Sequence, residues 1–191
     1  LSTSLPTDKD TLRRDARAAR AAFVRALAAD ERRALETALA ARALPFLQGA
    51  RTVGSYAPMG HEIDPAACHD LLPAGVTVLL PWFASRDDAM LFRVADGPLE
   101  PGPFGTLQPL ADAAEAVPGA LLVPLVAADA QGNRIGQGKG HFDRTLAALR
   151  AAHRTVAIGL AWDVQILASL PADAWDERLD AVVTPTRTLA A

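Results

Sequence analysis

The spacing of apolar and polar positions changes several times along the chain, and each change marks an element. Leu12, Ala16, Ala19, Phe23 and Leu27 recur at helical spacing, while Lys9, Arg13, Arg14, Arg17 and Arg20 fill the opposite face. This predicts an amphipathic helix of about five turns. Thr7 followed by Asp10 has the form of a capping box at its start. Asp30 is positioned to cap a second helix with Leu35, Leu39 and Ala43 facing the core, ended by Pro45 or Gly49. The pattern then shortens to strands over residues 52–57, 76–80, 89–94, 121–128, 155–160 and 181–184. Helices over residues 65–72 and 141–152, and a helical turn over 164–170, lie between them.

Strands alternating with helices predict an α/β fold, a single domain over residues 1–191 with a mixed, mostly parallel central sheet covered by helices on both faces. The strand-to-strand link at residues 81–88 is too short for a crossover, so it predicts an antiparallel excursion. The short linker after the N-terminal helices, residues 8–47, packs them onto this domain rather than apart from it. Binding sites are expected at the carboxyl ends of the strands. Gly97, Gly102 and Gly105 with prolines at 98, 101, 103 and 109 make residues 96–109 a long loop with a conformation of its own.

Composition narrows the picture. A chain of 191 residues, half of them apolar, supports one well-buried core. A net charge of -3 argues against bulk nucleic-acid binding without excluding a local anion site. The one cysteine, Cys68, removes any intrachain disulfide and any multi-cysteine metal cluster. His61, His69 and His153 share no zinc-ligand spacing. With neither a signal peptide nor an 18-residue apolar run, a soluble cytoplasmic protein without a membrane partner is expected.

The chemistry concentrates in residues 121–149. An apolar run at 121–128 reads as a strand buried on both faces; Gly132, Gly136, Gly138 and Gly140 follow, and a helix opens at His141. Glycines between strand and helix let backbone amides point at an anion with the positive helix end behind them. Arg134, Lys139 and Arg144 add cations, and Asp143 a carboxylate suited to a metal ion. The spacing matches neither GxxxxGK[ST], since Gly140 follows Lys139, nor GxGxxG, since His141 stands at the third glycine.

The stretch Arg134-Ile-Gly-Gln-Gly-Lys-Gly-His-Phe-Asp-Arg144 resembles the signature of the 5-formyltetrahydrofolate cyclo-ligase family, Arg-Leu-Gly-x-Gly-x-Gly-Tyr-Tyr-Asp-Arg. The resemblance extends to Asp129 with Gly132, the basic first helix, Tyr56-x-Pro58 with Glu62, Leu80-Pro81, Met90-x-Phe92, Gly105, Gln165, Asp176 and Asp180. It implies the three-layer fold of that family, ATP and Mg2+ as cofactors, and a place in folate and one-carbon metabolism. The implied substrate is 5-formyltetrahydrofolate, with or without a polyglutamate tail. The implied reaction phosphorylates the formyl oxygen, and attack by N10 then gives 5,10-methenyltetrahydrofolate, ADP and phosphate. A monomer is expected, with a dimer left open.

Carried onto this chain, the resemblance makes Lys9, Arg13, Arg134, Gly136, Gln137, Gly138, Lys139 and Gly140 the nucleotide cradle, with Arg134, Lys139 and His141 catalytic. Asp143 and Asp176 become magnesium ligands. Tyr56, Glu62, Trp82, Met90, His141, Phe142 and Trp162 become the folate pocket, with Phe83 beside Trp82 and Gln165 near Trp162. His141 and Phe142 depart from the family's paired tyrosines, and Gln108 stands where the family commonly has glutamate. Two other readings remain: an α/β protein handling a sugar phosphate or coenzyme A, and a folate-binding protein without catalysis.

Overall fold

The structure, a computed structural model, describes residues 8–190. Thr7 therefore lies outside the described residues. The first helix, α1 (Lys9–Ala26), is capped by Asp8, whose carboxylate accepts from the amides of Asp10 and Thr11 at 3.2 and 3.1 Å. Its buried stripe is Leu12, Ala16, Arg20 and Val24, so the expected apolar face is rotated: Ala19 is exposed and Arg20 is inside. Arg20 tolerates burial because Nη1 donates to the Leu125 carbonyl at 3.1 Å and Glu62 lies beside it. The second helix, α2 (Ala29–Leu47), runs through Pro45 and stops before Gly49, which takes a left-handed φ of 82°. Its start is held by Glu31, which accepts from the Ala28 amide at 2.9 Å; Asp30 lies inside the helix.

The remaining elements follow in chain order: β1 (Thr52–Gly54), α3 (Ala66–Asp70), β2 (Thr77–Trp82), β3 (Leu91–Val94), β4 (Leu99–Pro101), β5 (Leu107–Pro109), β6 (Ala120–Pro124), β7 (Ala127–Ala128), β8 (Arg134–Ile135), α4 (His141–Ala152), β9 (Val156–Leu160), β10 (Ala181–Val183) and β11 (Thr188–Ala190). Seven strands form the main sheet in the order β11-β10-β9-β6-β1-β2-β3. The five inner strands run parallel, and β3 and β11 pair antiparallel at the edges. The sheet is thus mixed and largely parallel, as its pattern predicts. Val53 of β1 is in register with Val78 of β2 on one side and Ala120 of β6 on the other.

Side chains of β6 alternate between two cores. Leu122 packs with Leu39, Ala43, Leu47 and Ile158 under α1 and α2, while Leu121 and Val123 pack with Leu146 of α4, Leu79 and Val182 on the far face. Helices therefore flank both faces. From β1 the chain grows outward through β2 and β3, then returns to the other flank of β1 through β6, β9 and β10. The carboxyl ends of β1 and β6 lie where the winding reverses, which opens a crevice there.

Some local expectations change. The apolar run at 121–128 is not one strand: β6 ends at Pro124, the chain turns, and β7 pairs with β8 instead. Proline cannot donate to the ladder, which favours a strand end at that point. Residues 96–109 contain the β4–β5 hairpin, in which Glu100 faces Gln108. The turn at 164–170 contracts to a 3-10 turn, Asp163–Gln165. Strand β11, absent from the expected elements, closes the sheet edge. Among the described residues, no helix is long and apolar enough to cross a membrane.

Candidate active site

The crevice at the β1 and β6 ends is a cleft of about 900 Å³. One wall is the glycine loop at the start of α4. Gly138 has φ 93° and Gly140, the residue before α4, has φ 66°, both in the left-handed region that a side chain would strain. The turn before the loop is built by Asp129, fully buried, whose Oδ1 accepts from the amides of Gln131 and Asn133 and whose Oδ2 accepts from Asn133 Nδ2 and the Leu170 amide. Four donors on one carboxylate make this turn rigid, and the loop departs from a fixed anchor.

Helix α1 clamps the loop from the side. Arg13 Nε donates to the Gly136 carbonyl at 2.9 Å, and Arg17 Nη2 donates to the carbonyl of Gln137 at 3.4 Å and to its side-chain oxygen. Lys9 reaches across to Asp173 Oδ2 at 2.6 Å and Asp176 Oδ2 at 2.5 Å. Burial lowers the Lys9 ammonium pKa, but these two carboxylates outweigh it and hold the group above its ordinary value. Arg134, 8% exposed, pairs through Nη2 with Asp143 Oδ1 at 2.7 Å. Burial depresses its pKa while Asp143 and then Asp176 oppose that shift. Lys139 and Arg144 are exposed on the cleft wall.

The other wall is apolar. The rings of Phe83 and Phe104 meet edge to face at 4.8 Å, and the His141 imidazole lies 4.9 Å from the first and 5.0 Å from the second. Burial, then the charges of Arg144 and Lys139, lower the His141 pKa. Arg144 Nη2 lies 3.1 Å from Nδ1, and a guanidinium only donates, so Nδ1 accepts and the proton sits on Nε2. Met90 and Tyr56 complete this side. The Tyr56 hydroxyl is already committed, donating to the Ile63 carbonyl at 2.8 Å, and burial followed by Glu62 raises its pKa well above the ordinary value. Tyr56 thus presents a ring rather than a free hydroxyl.

Glu62 joins the two walls. It is 4% exposed; Oε2 accepts from the Met59 amide and Oε1 from Gln137 Nε2, at 2.9 and 2.8 Å. Gln108, where a glutamate was the family pattern, bonds Phe83 both ways: its Oε1 accepts from the Phe83 amide and its Nε2 donates to the Phe83 carbonyl, each at 3.2 Å. An ionised glutamate cannot make the second bond. The residue therefore ties the β4–β5 hairpin to the end of β2.

Lys9, Arg13, Tyr56, Glu62, Met90, the whole of 134–143 and Asp176 line the one cleft. Trp82 and Trp162 do not. Trp82 turns to the edge of the sheet, where the Arg93 guanidinium lies 4.3 Å above its ring. Trp162 is fully buried against Phe23, its indole nitrogen donating to the His61 carbonyl at 3.0 Å. Gln165 is also interior, holding the carbonyls of Leu125 and Val126. A tryptophan at a strand end can turn to either layer, and here packing takes both away from the cleft. Phe104, Met59, Asp173 and Trp175, unremarked in the sequence, line it instead. Only Phe104 carried a signal, as the lone aromatic of a glycine-proline loop.

Among the described residues no group of three or more histidine, cysteine, aspartate or glutamate side chains is arranged to hold a metal ion. Asp143 and Asp176 face the cleft as separate carboxylates. Their hydrogen bonds among the described residues fall on Oδ1 of Asp143 and Oδ2 of Asp176, which leaves the second oxygen of each available.

Compared with known proteins, the chain matches the 5-formyltetrahydrofolate cyclo-ligase family over residues 6–185. It is 35% identical over 153 residues to a 5-formyltetrahydrofolate cyclo-ligase of Mycolicibacterium smegmatis, covering 74% of this chain and 77% of that one. The protein of the same name from Escherichia coli is 45% identical over 67 residues, 35% of this chain and 36% of its own. Among solved structures, the 5,10-methenyltetrahydrofolate synthetase of Aquifex aeolicus superposes with a TM-score of 0.78 at 26% identity, over 95% of this chain and 92% of its own.

Proposed function

The chain belongs to the 5-formyltetrahydrofolate cyclo-ligase family, and we propose that it converts 5-formyltetrahydrofolate to 5,10-methenyltetrahydrofolate while ATP becomes ADP and phosphate. It is an enzyme of that ligase class. The observation that carries the detailed reading is the two-walled cleft: a glycine loop with cations on one side, an aromatic pocket on the other, and Glu62 between them. A cleft built only to hold a sugar phosphate would have no use for the second wall, and family membership leaves the coenzyme-A reading without support.

A formamide is a poor electrophile, because its nitrogen lone pair delocalises into the carbonyl, and its oxygen is a poor leaving group. In the proposed sequence the formyl oxygen of the folate attacks the terminal phosphorus of ATP; that O–P bond forms as the bond to ADP breaks. The N10 lone pair then adds to the activated carbon, N10 gives up its proton, and phosphate departs with the C–O bond. The protein's part is positioning and charge neutralisation. Amides of 136–140 cradle the triphosphate, and Lys139 and Arg134 stabilise charge on the transferring oxygens. Lys9 and Arg13 hold the nucleotide from α1. His141 offers its Nε2–H, which has no partner among the described residues, to an oxygen of either substrate. Tyr56, Met90 and Phe142 line the folate side, and Glu62 accepts from pterin N–H groups.

Asp143 and Asp176 fit a magnesium ion that takes one or two protein carboxylates and completes its shell with phosphate and water. Bound there, the ion would neutralise phosphate charge during transfer. The test is to incubate the protein with ATP, Mg2+ and 5-formyltetrahydrofolate and follow methenyl absorbance and ADP. Equal amounts of both, with negligible ADP when folate is omitted, are expected. ADP released without methenyl product would overturn the reading.

A further inference from the structure

Three arginines of α1, Arg13, Arg17 and Arg20, follow one helical stripe and end respectively at the Gly136 carbonyl, at Gln137 and beside Glu62. Gln137 stands in the middle of this series, and its side chain bridges Arg17 and Glu62. Its side-chain oxygen accepts from Arg17, and its Nε2 donates to Glu62 Oε1 at 2.8 Å. That oxygen of Glu62 lies 3.8 Å from Arg20 Nη1, too far for a hydrogen bond, although both side chains are almost wholly buried. Two opposite charges at that separation in a dry interior would close into a direct pair unless something held them apart. Gln137 holds one carboxylate oxygen and the Met59 amide holds the other at 2.9 Å.

From this geometry we propose that Gln137 is a positioning residue for the folate site. It keeps Glu62 off Arg20 and aimed into the cleft, and so couples nucleotide occupancy of the glycine loop to folate affinity. The inference rests on the folate reading of Glu62. Gln137 is flanked by Gly136 and Gly138, so its backbone is costly to order. Arg13 and Arg17 already clamp this loop; a triphosphate on its amides adds to that restraint, and the folate then binds to a Glu62 held more firmly in place. The residue thus sits in the phosphate loop and acts on the other substrate.

The experiment measures the dissociation constant for 5-formyltetrahydrofolate with and without a non-hydrolysable ATP analogue, in the wild-type protein and in Gln137→Met and Gln137→Glu. Methionine keeps the length and loses the hydrogen bonds; glutamate sets a second carboxylate against Glu62. In the wild type the analogue should tighten folate binding. Gln137→Met should weaken folate binding roughly ten- to a hundredfold, the range of a hydrogen bond to a charged group. It should also abolish the effect of the analogue on folate binding. Gln137→Glu should weaken folate binding further. Unchanged folate affinity in both variants, or a wild type in which the analogue has no effect, would overturn the proposal. A wild type that forms no methenyl product would instead overturn the reaction assigned to the site.

Discussion

The two ends of the cleft solve opposite problems with opposite materials. At the glycine-loop end the charges are many and partly exposed, and most already have partners: Lys9 with Asp173 and Asp176, Arg134 with Asp143. At the aromatic end one carboxylate, Glu62, is buried and held by neutral donors from Met59 and Gln137. A highly charged, well-hydrated ligand suits the first arrangement, because several cations converge there and solvent reaches the charges on the cleft wall. A flat heterocycle with a few N–H groups suits the second, where a dry pocket makes each hydrogen bond discriminate strongly.

The sharpest way to break the contrast is Lys139→Met. Lys139 is exposed and has no salt bridge among the described residues, so the fold should be untouched while turnover falls roughly 10²- to 10³-fold, as for loss of one transition-state donor. Steady-state kinetics beside a melting curve decides it, and near-normal turnover would remove the residue from catalysis. Next comes Asp143→Ala, which leaves the Arg134 guanidinium buried without its carboxylate. Denaturant unfolding should register a loss of about 3 kcal/mol. An unchanged midpoint would mean that the pair is not structural.

Glu62→Gln tests the other end. It should raise the KM for folate roughly ten- to a hundredfold, no less than Gln137→Met, and leave that for ATP nearly unchanged; equal effects on both would erase the distinction between the two walls. Phe104→Leu, which removes a ring packed on Phe83 and His141, should raise the folate KM a few-fold without a change in the nucleotide KM. The smallest effect concerns His69, whose Nε2 lies 2.8 Å from Ser55 Oγ behind the aromatic end. Burial, outweighing Asp64 and Asp70, holds its pKa below the ordinary 6.5. The unfolded chain therefore binds more protons than the fold in the window below that value. The contribution is whole above about 6.5 and is lost as pH falls toward the folded pKa. A plot of Tm against pH should fall on the acid side, and His69→Gln should flatten it.

The glycine loop was legible because its chemistry is local: Asp129, Gly132 and residues 134–143 are neighbours in sequence and need only a strand before them and a helix after. Helix α4 was placed at His141–Ala152 by its own periodicity. The phase of α1 is rotated from Ala19 onward, since Arg20 looks polar in the sequence and is buried with Leu125 and Glu62 opposite it. The same limit applies to Trp82, Trp162 and Gln165. Each sits near a strand end, and nothing in its flanking residues says which layer receives it. Phe104 and Trp175 reached the cleft for the converse reason, through loops whose path is set by distant contacts such as Gln108 with Phe83 and Lys9 with Asp173.

The residue order alone was enough for the class of fold, the glycine loop and the family. Those depend on periodicity, backbone freedom and residue order, all of which act over a few positions. Tertiary structure decided which side chains share the cleft and which charges meet: Lys9 with Asp176, Arg134 with Asp143, Gln137 with Glu62. Such pairs form between distant parts of the chain, where close packing favours the arrangement in which most buried polar groups find a partner.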